Sequence, residues 1–122
     1  MKVKFELSAE ETLAYIMRDN KELGYKILKR LEILKYEPYP HFFGNYIFNS
    51  ETVKFLKKQG YDIRKLWCSE FDKYRIFYFV DDEKELVIIC EIIKRQDDNI
   101  TYGDYSPHIK RIKEAYTKHF NI

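Results

Sequence analysis

The fold is decided by residues 74–95, which read Tyr74-Arg-Ile-Phe-Tyr-Phe-Val80, Asp81-Asp-Glu-Lys-Glu85 and Leu86-Val-Ile-Ile-Cys-Glu-Ile-Ile-Lys-Arg95. The first and third segments are rich in β-branched and aromatic residues, which favour strands. The polar segment between them predicts a turn. The near-continuous apolar run of the last segment is typical of a central strand covered on both faces.

Two further strands are predicted from the same kind of pattern. Residues 64–71 precede the pair and predict the second strand of the chain. Residues 2–7 alternate polar and apolar side chains and predict the first strand, with Val3, Phe5 and Leu7 on one face. The second, third and fourth strands should form an antiparallel meander.

Two helices are predicted between the first and second strands. Ser8 is expected to cap the first helix, and Glu11 completes the capping-box pattern three residues later. The second helix is predicted over about residues 21–36, because Leu23, Ile27 and Leu31 lie at helical spacing and Pro38 follows. The short break between the helices predicts an antiparallel hairpin that covers one face of the sheet.

The remaining segments are an insert and a last helix. The insert spans about residues 39–60 and contains a predicted short helix over 51–59, capped by Ser50 and stopped by Gly60. A last helix is predicted from Pro107. The sequence therefore predicts one α+β domain over residues 1–122, in the order β-α-α-(insert)-β-β-β-α.

Composition restricts the possible functions. The chain has 122 residues and a formal net charge of +2. Residues 1–60 carry eleven Lys/Arg and eight Asp/Glu, which gives a net charge of +3. Residues 61–122 carry eleven Lys/Arg and twelve Asp/Glu, which gives a net charge of −1. Any nucleic-acid interface must then be a local basic patch. The bias toward Lys, Glu, Ile and Tyr is typical of a thermophilic source, although AT-rich coding gives the same bias.

The cysteine, histidine and hydropathy patterns argue against a zinc site, a catalytic histidine and a membrane-spanning helix. Cys68 and Cys90 are expected to be buried reduced thiols, and two cysteines are too few for a zinc site. His41, His108 and His119 are scattered, so neither a metal site nor a catalytic role is expected of them. No apolar run has the length of a membrane helix, which predicts a cytoplasmic protein without a membrane partner.

Basic residues and a tyrosine accompany the strands. A meander that presents Arg, Lys and Tyr from neighbouring strands can hold a phosphodiester and stabilise a phosphorane-like transition state without a metal. Nucleic acid is therefore the first partner to consider.

The segments around residues 64–67, 73–83, 86–95 and 101–102 resemble the RelE/ParE toxin superfamily. The resemblance is good over about residues 62–102, topological over 1–37 and absent over about 39–60. It implies ribosome-dependent cleavage of mRNA, no cofactor, and a small antitoxin protein as a second partner.

The resemblance also implies site residues. Arg75 matches the arginine of the third strand, Arg95 the arginine that ends the fourth, and Tyr102 the downstream tyrosine. Lys65 is an approximate match on the second strand, where Trp67 stands in place of a second lysine. Further RNA-binding candidates are Arg64, Lys94, Lys110 and Arg111.

In the implied reaction the RNA 2′-hydroxyl attacks the adjacent phosphate. Lys65 or Tyr102 would act as the base, and Arg75 and Arg95 would bind the phosphate oxygens as planar, bidentate donors. Tyr102 could instead stack on a base. Each of these residues also has a purely structural interpretation. Arg75 could pair with Asp72, and Lys94-Arg95 could be the point where a strand leaves the core for solvent.

Two other functions stay open. A ParE-like member would inhibit DNA gyrase by protein binding, which the incomplete lysine set and the near-neutral charge favour. A relative of this fold without toxin activity could use residues 39–60 as a new surface.

Overall fold

The computed structural model describes residues 1–39, 51–66, 71, 73–94 and 107–122. They form an α+β fold with these elements: β1 (Lys2–Phe5), α1 (Leu7–Asp19), α2 (Lys21–Ile33), α3 (Glu51–Lys58), β2 (Arg64–Leu66), β3 (Tyr74–Asp81), β4 (Leu86–Lys94) and α4 (Pro107–Phe120). No helix among these residues is long and apolar enough to cross a membrane.

The sheet is mixed and has the order β1-β4-β3-β2. β2, β3 and β4 pair in antiparallel fashion, which confirms the predicted meander. β1 pairs with β4 in parallel, and Phe5 lies opposite Ile89. β4 is a central strand, as its apolar run predicted, and seven of its nine residues in a row are buried.

Each face of the sheet has its own core. Ile76 and Tyr78 of β3 pack against α1 and α2. Phe77 and Phe79 of the same strand pack, on the opposite face, against α3 and α4. Alternate residues of β3 therefore supply the two cores, and neither face of the central strands is open to solvent.

The predicted start of α1 is wrong by two residues. β1 ends at Phe5, and Leu7 is the first helical residue, with 66% of its surface exposed. Glu6 is the N-cap residue and makes no side-chain cap, so the capping box of Ser8 and Glu11 does not form. The Glu6 N–H instead donates to the carbonyl of Ile89, at 2.9 Å, and this bond turns the chain out of the sheet into the helix.

Other boundaries differ less. α2 ends at Ile33 rather than Tyr36, and the next residues form turns. The prediction that β2 reaches Phe71 is wrong, because this buried residue lies in a 3₁₀ turn. Trp67, Cys68 and Ser50 lie outside the described residues, and so does the predicted pairing of Arg75 with Asp72.

Candidate functional site

A buried carboxylate interrupts the apolar run of β4. Only 2% of the Glu91 surface is exposed. The register between β3 and β4 shifts at Phe77 and Tyr78: Tyr78 lies opposite Ile89, whereas Phe77 lies opposite Glu91. Cys90 is thus the extra residue of a β-bulge. Bulges re-aim side chains, and this one places Glu91 toward α4 instead of into the core beneath α1 and α2.

Glu91 is surrounded by donors from both helices that flank it. The Arg111 Nε–H donates to Oε1 at 2.9 Å, and Arg111 Nη2 lies 3.3 Å from Oε2. His108 Nδ1 lies 2.9 Å from Oε2. The Ser8 hydroxyl donates to Oε1. The carboxylate therefore joins β4 to the first turns of α1 and α4.

The end of β1 explains how α1 reaches this carboxylate. β4 continues past the last β1 partner, Ile89, so its next residues have helix N-termini beside them in place of another strand. Ser8, which the sequence predicted as a helix cap, is the second residue of α1 and has its hydroxyl bonded to Glu91 instead.

Two clefts flank this cluster. The acidic cleft, of about 360 Å³, has walls from α1, β4 and α4 and is lined by the carboxylates of Glu6, Glu11, Glu91 and Glu114, together with Arg111 and Lys118. Lys118 is 3.2 Å from Glu6, so both cations of this cleft are near carboxylates. The excess of carboxylates disfavours a phosphate ligand here.

The second cleft lies where β4 ends and α4 begins, and we call it the β4-end cleft. Its volume is about 250 Å³, and it is lined by Thr12, Tyr15, Ile16, Tyr74, Ile92, Ile93, Lys94 and His108. Lys94 is exposed, and the side chain of His108 is 25% exposed. Arg111 Nη2 lies 3.0 Å from His108 Nδ1. Of the predicted RNA-binding residues, Lys94 therefore lines the same cleft as His108, and Arg111 contacts the His108 imidazole.

The candidates on β2 and β3 are much less accessible. Lys65 and Arg75 are 6% and 7% exposed. Lys65 is paired with Phe77 across the strands, and its Nζ lies 5.9 Å from the centre of that ring. An Arg75 N–H donates to the Tyr74 carbonyl at 3.2 Å. Both residues lie on the sheet face covered by α3 and α4.

Arg64 lies at the sheet edge against an aromatic ring. Its guanidinium carbon is 4.3 Å from the centre of the Tyr39 ring, a cation–π distance. The Tyr39 hydroxyl donates to Asp82 at 2.6 Å. Burial, and next the bond to Asp82, raise the pKa of Tyr39 to about 12, so this hydroxyl stays protonated at neutral pH.

None of the remaining predicted site residues lines either cleft among the residues that the structure describes. Arg95 and Tyr102 lie outside the described residues. Lys110 is exposed on α4. Burial raises the pKa of the Cys90 thiol well above its usual value, as expected of an unreactive buried cysteine. In the part of the chain that the structure describes, no group of three or more His, Cys, Asp or Glu could hold a metal ion.

Sequence reasoning missed Glu91 and His108. The available signal was the single carboxylate in the apolar run from Leu86 to Ile93, since a buried polar residue is more informative than the hydrophobic residues around it. Nothing in the sequence placed His108, which is 17 positions away, against Glu91.

Comparisons with known proteins identify no relative. No family model, no curated protein and no solved structure matches this chain.

Proposed function

We propose that this chain is a RelE-like toxin, a metal-independent endoribonuclease that cleaves mRNA on the ribosome and is neutralised by a small antitoxin protein. The main support is the β4-end cleft, where Lys94 and His108 line one cavity and Arg111 is 3.0 Å from the imidazole. Phosphodiester cleavage needs cations for the phosphate and a group that moves protons, and these side chains supply both.

In this proposal RNA enters the cleft from solvent. The cleft is smaller than the roughly 300 Å³ at which small-molecule sites begin, which suits one ribose–phosphate unit of a chain that continues outside. Lys94 and the exposed Lys110 contact phosphates. Arg95 and Tyr102 keep the roles that the resemblance implies, whereas Arg75, at 7% exposure, is not accessible to RNA in this arrangement.

The test is controlled expression of the chain in growing cells, followed by mapping of transcript 5′ ends. We expect growth arrest and new ends within translated messages. Lys94→Ala should reduce cleavage about tenfold, the effect of losing about 1.4 kcal/mol of phosphate binding. Lys29→Ala removes an exposed lysine from α2 and serves as the matched control. Normal growth with intact messages would refute the proposal.

A second experiment addresses the clamp that the resemblance implies. The Arg75→Ala, Arg95→Ala double variant should be non-toxic if these guanidinium groups stabilise the transition state. Full toxicity of a folded double variant would remove them from the mechanism.

A second candidate function is protein binding without nuclease activity. The observation that favours it is the burial of Lys65 and Arg75, which places two implied catalytic cations beneath α3 and α4. Such a member would act as a ParE-like gyrase inhibitor, or would lack toxin activity altogether. Capture of DNA gyrase but not ribosomes by the tagged chain would support the ParE-like version. A neighbouring reading frame for a small antitoxin-like protein would argue against the version without toxin activity.

A further inference from the structure

We propose that α3 and α4 form a docking surface for double-helical RNA, which they contact through its phosphate backbone. This lysine surface consists of Lys54, Lys57 and Lys58 of α3 and Lys110 of α4, and all four residues are exposed. The inference goes beyond the proposed function, in which one RNA strand enters the β4-end cleft. It assigns a role to the helix of the insert, the part of the chain that the toxin resemblance does not cover.

The charge of α3 follows from its local sequence. Between Glu51 and Asp62 the chain has three lysines and no acidic residue. Lys54 and Lys58 are one turn apart, so their side chains leave the helix on the same side. The opposite side of α3 packs into the core through Leu56. The insert helix therefore presents its positive charge to solvent.

Lys113 joins α4 to α3 at this surface. Its Nζ lies 5.6 Å from the centre of the Phe55 ring and 5.5 Å from the centre of the Tyr61 ring. Phe55 is one turn before Lys58 on α3, which makes the two side chains neighbours. Lys110 is likewise one turn before Lys113 on α4. The lysines of the two helices therefore border one continuous surface.

The two sides of α4 differ in the charges around them. Arg111 and Lys118 line the acidic cleft, together with four carboxylates. Lys110 and Lys113 lie on the side that faces α3, since Lys113 contacts Phe55 of that helix. Phosphates are repelled by the carboxylates of the cleft and attracted by the lysines on the other side of the helix. An RNA backbone is therefore directed to the lysine surface.

The aromatic rings at this surface favour an RNA double helix over a single strand. Phe55 and Tyr61 are partly buried, and both lie under the Lys113 ammonium. The Tyr61 ring also packs edge-to-face against Tyr116, with ring centres 5.5 Å apart. Single-strand binding uses rings on which bases stack. A double helix keeps its bases inside and presents its phosphates, so it needs only the lysines.

A protein partner fits this surface less well. The centres of protein interfaces are rich in aromatic side chains, and lysine is depleted there. Among the residues that the structure describes, the exposed large apolar side chains are Leu7, Tyr15, Tyr25, Tyr36 and Ile122. None of these belongs to the lysine surface or to α3. Exposed lysines without such a centre are complementary to the charged backbone of a nucleic acid.

Binding of a short blunt-ended RNA duplex to the purified protein tests the inference without any cleavage. Four phosphate contacts predict that log affinity falls with log salt concentration with a slope of about −3.6. In the Lys54→Gln, Lys58→Gln variant the slope should weaken by about 1.8, and the affinity at about 0.1 M salt should fall at least about tenfold. Glutamine favours helices, so α3 should stay folded. Lys54→Arg, Lys58→Arg keeps both charges and should bind like the wild type.

The matched control is Lys26→Gln, Lys29→Gln on α2. It removes two exposed lysines that are also one turn apart, and Lys26 Nζ lies 3.6 Å from Glu22, which offsets its charge. This variant should keep the duplex affinity of the wild type. Equal losses in the two double variants would show that only net charge matters and would overturn the inference.

Two competitors distinguish the RNA helix from other anions. A single strand of the same length and polyglutamate should both displace the labelled duplex poorly. Tighter binding of the single strand would overturn the assignment of a double helix. Polyglutamate that competes as well as the duplex would show that the surface binds acidic chains in general, and this would also overturn the inference.

Kinetics on ribosomes carrying an mRNA extend the test, and this part alone rests on the proposed function. Lys54→Gln, Lys58→Gln should raise KM for the ribosome and leave kcat unchanged, because the lysine surface docks RNA and does not touch the scissile bond. A wild-type protein that cleaves mRNA but does not bind the duplex would overturn this inference alone. A wild-type protein that binds the duplex and cleaves no mRNA would refute the proposed function and support the lysine surface.

Discussion

At the scale of single residues, the decisive feature is a charge buried in an apolar strand. A carboxylate at 2% exposure is tolerated only when donors replace its hydration. Glu91 obtains them from Ser8 and Arg111, which come from two helices, and His108 Nδ1 lies 2.9 Å from the same carboxylate. The cluster therefore has a structural consequence that is independent of any reaction.

Arg111→Met should lower the free energy of unfolding by about 2 kcal/mol, because Glu91 would remain buried without the donors of its guanidinium. Urea unfolding without RNA measures it. Lys110→Met changes an exposed neighbour on the same helix and should stay within about 0.5 kcal/mol of the wild type. Equal effects of the two substitutions would show that the contact between Arg111 and Glu91 does not stabilise the fold.

Asp81 gives the protein a predictable response to acid. The Lys84 backbone N–H donates to this carboxylate at 3.0 Å and His119 lies 2.8 Å from it, and both contacts lower the pKa of Asp81. A lowered carboxyl pKa stabilises the fold above the ordinary Asp pKa of about 3.9, and this stabilisation is lost as pH falls through the folded value.

Asp81→Asn should therefore be less stable than the wild type at about pH 7, and the difference should shrink below about pH 4. Urea unfolding at several pH values measures both trends. Glu83→Gln alters an exposed carboxyl of the same turn and should follow the wild type throughout. A constant gap between Asp81→Asn and wild type down to low pH would refute the argument.

At the scale of elements, the α1–α2 hairpin depends on close backbone approach. Gly24 is buried in α2, and a Cβ built there would overlap Met17 Cγ and lie 3.0 Å from Met17 Cα. Asn20 joins the helices, since its side chain accepts the Leu23 N–H at 3.1 Å. The short connection at Asn20 and the absence of a Cβ at Gly24 together set how closely the two helices pack.

Gly24→Ala should destabilise the protein by about 1 to 3 kcal/mol through overpacking, against the gain of about 1 kcal/mol expected from helix propensity alone. Thermal unfolding measures the sign. The same substitution in a Met17→Ala background should cost less, because the overlapping Cγ is gone. A rise in Tm for the single variant would mean that the hairpin relaxes freely.

At the scale of the whole molecule, one sheet separates two cores. Both faces of β3 and β4 are buried, so the face that would present Lys65 and Arg75 to RNA is covered by α3 and α4. Among the predicted candidates that the structure describes, Lys94, Lys110 and Arg111 are exposed, and they lie at the end of β4 and near the start of α4. For this reason the RNA site is proposed at the β4-end cleft.

The shared strands should make the cores unfold together. Ile76→Val affects the core beneath α1 and α2, and Ile88→Val affects the core beneath α3 and α4. Each removes one buried methylene and should cost about 1 kcal/mol. Calorimetry should show a single transition, lowered in Tm by either substitution. Two separate transitions would contradict the predicted single domain.

Local sequence determined the elements that periodicity can encode. The apolar runs of β3 and β4 and the helical spacing of α2 and α4 depend on neighbours a few residues apart, and these elements lie where their patterns predicted. The start of α1 could not be predicted, because Ser8 suits a helix cap and its actual partner, Glu91, is 83 positions away.

Only the tertiary structure decided which polar groups meet. The bulge at Cys90 changes the face on which Glu91 lies, and strict alternation would have placed this carboxylate among apolar side chains. The early end of β1 then leaves room for Ser8, at the start of α1, to reach it. Side-chain alternation is a local property of the chain, whereas a register shift and the docking of a distant helix depend on the packing of the whole sheet.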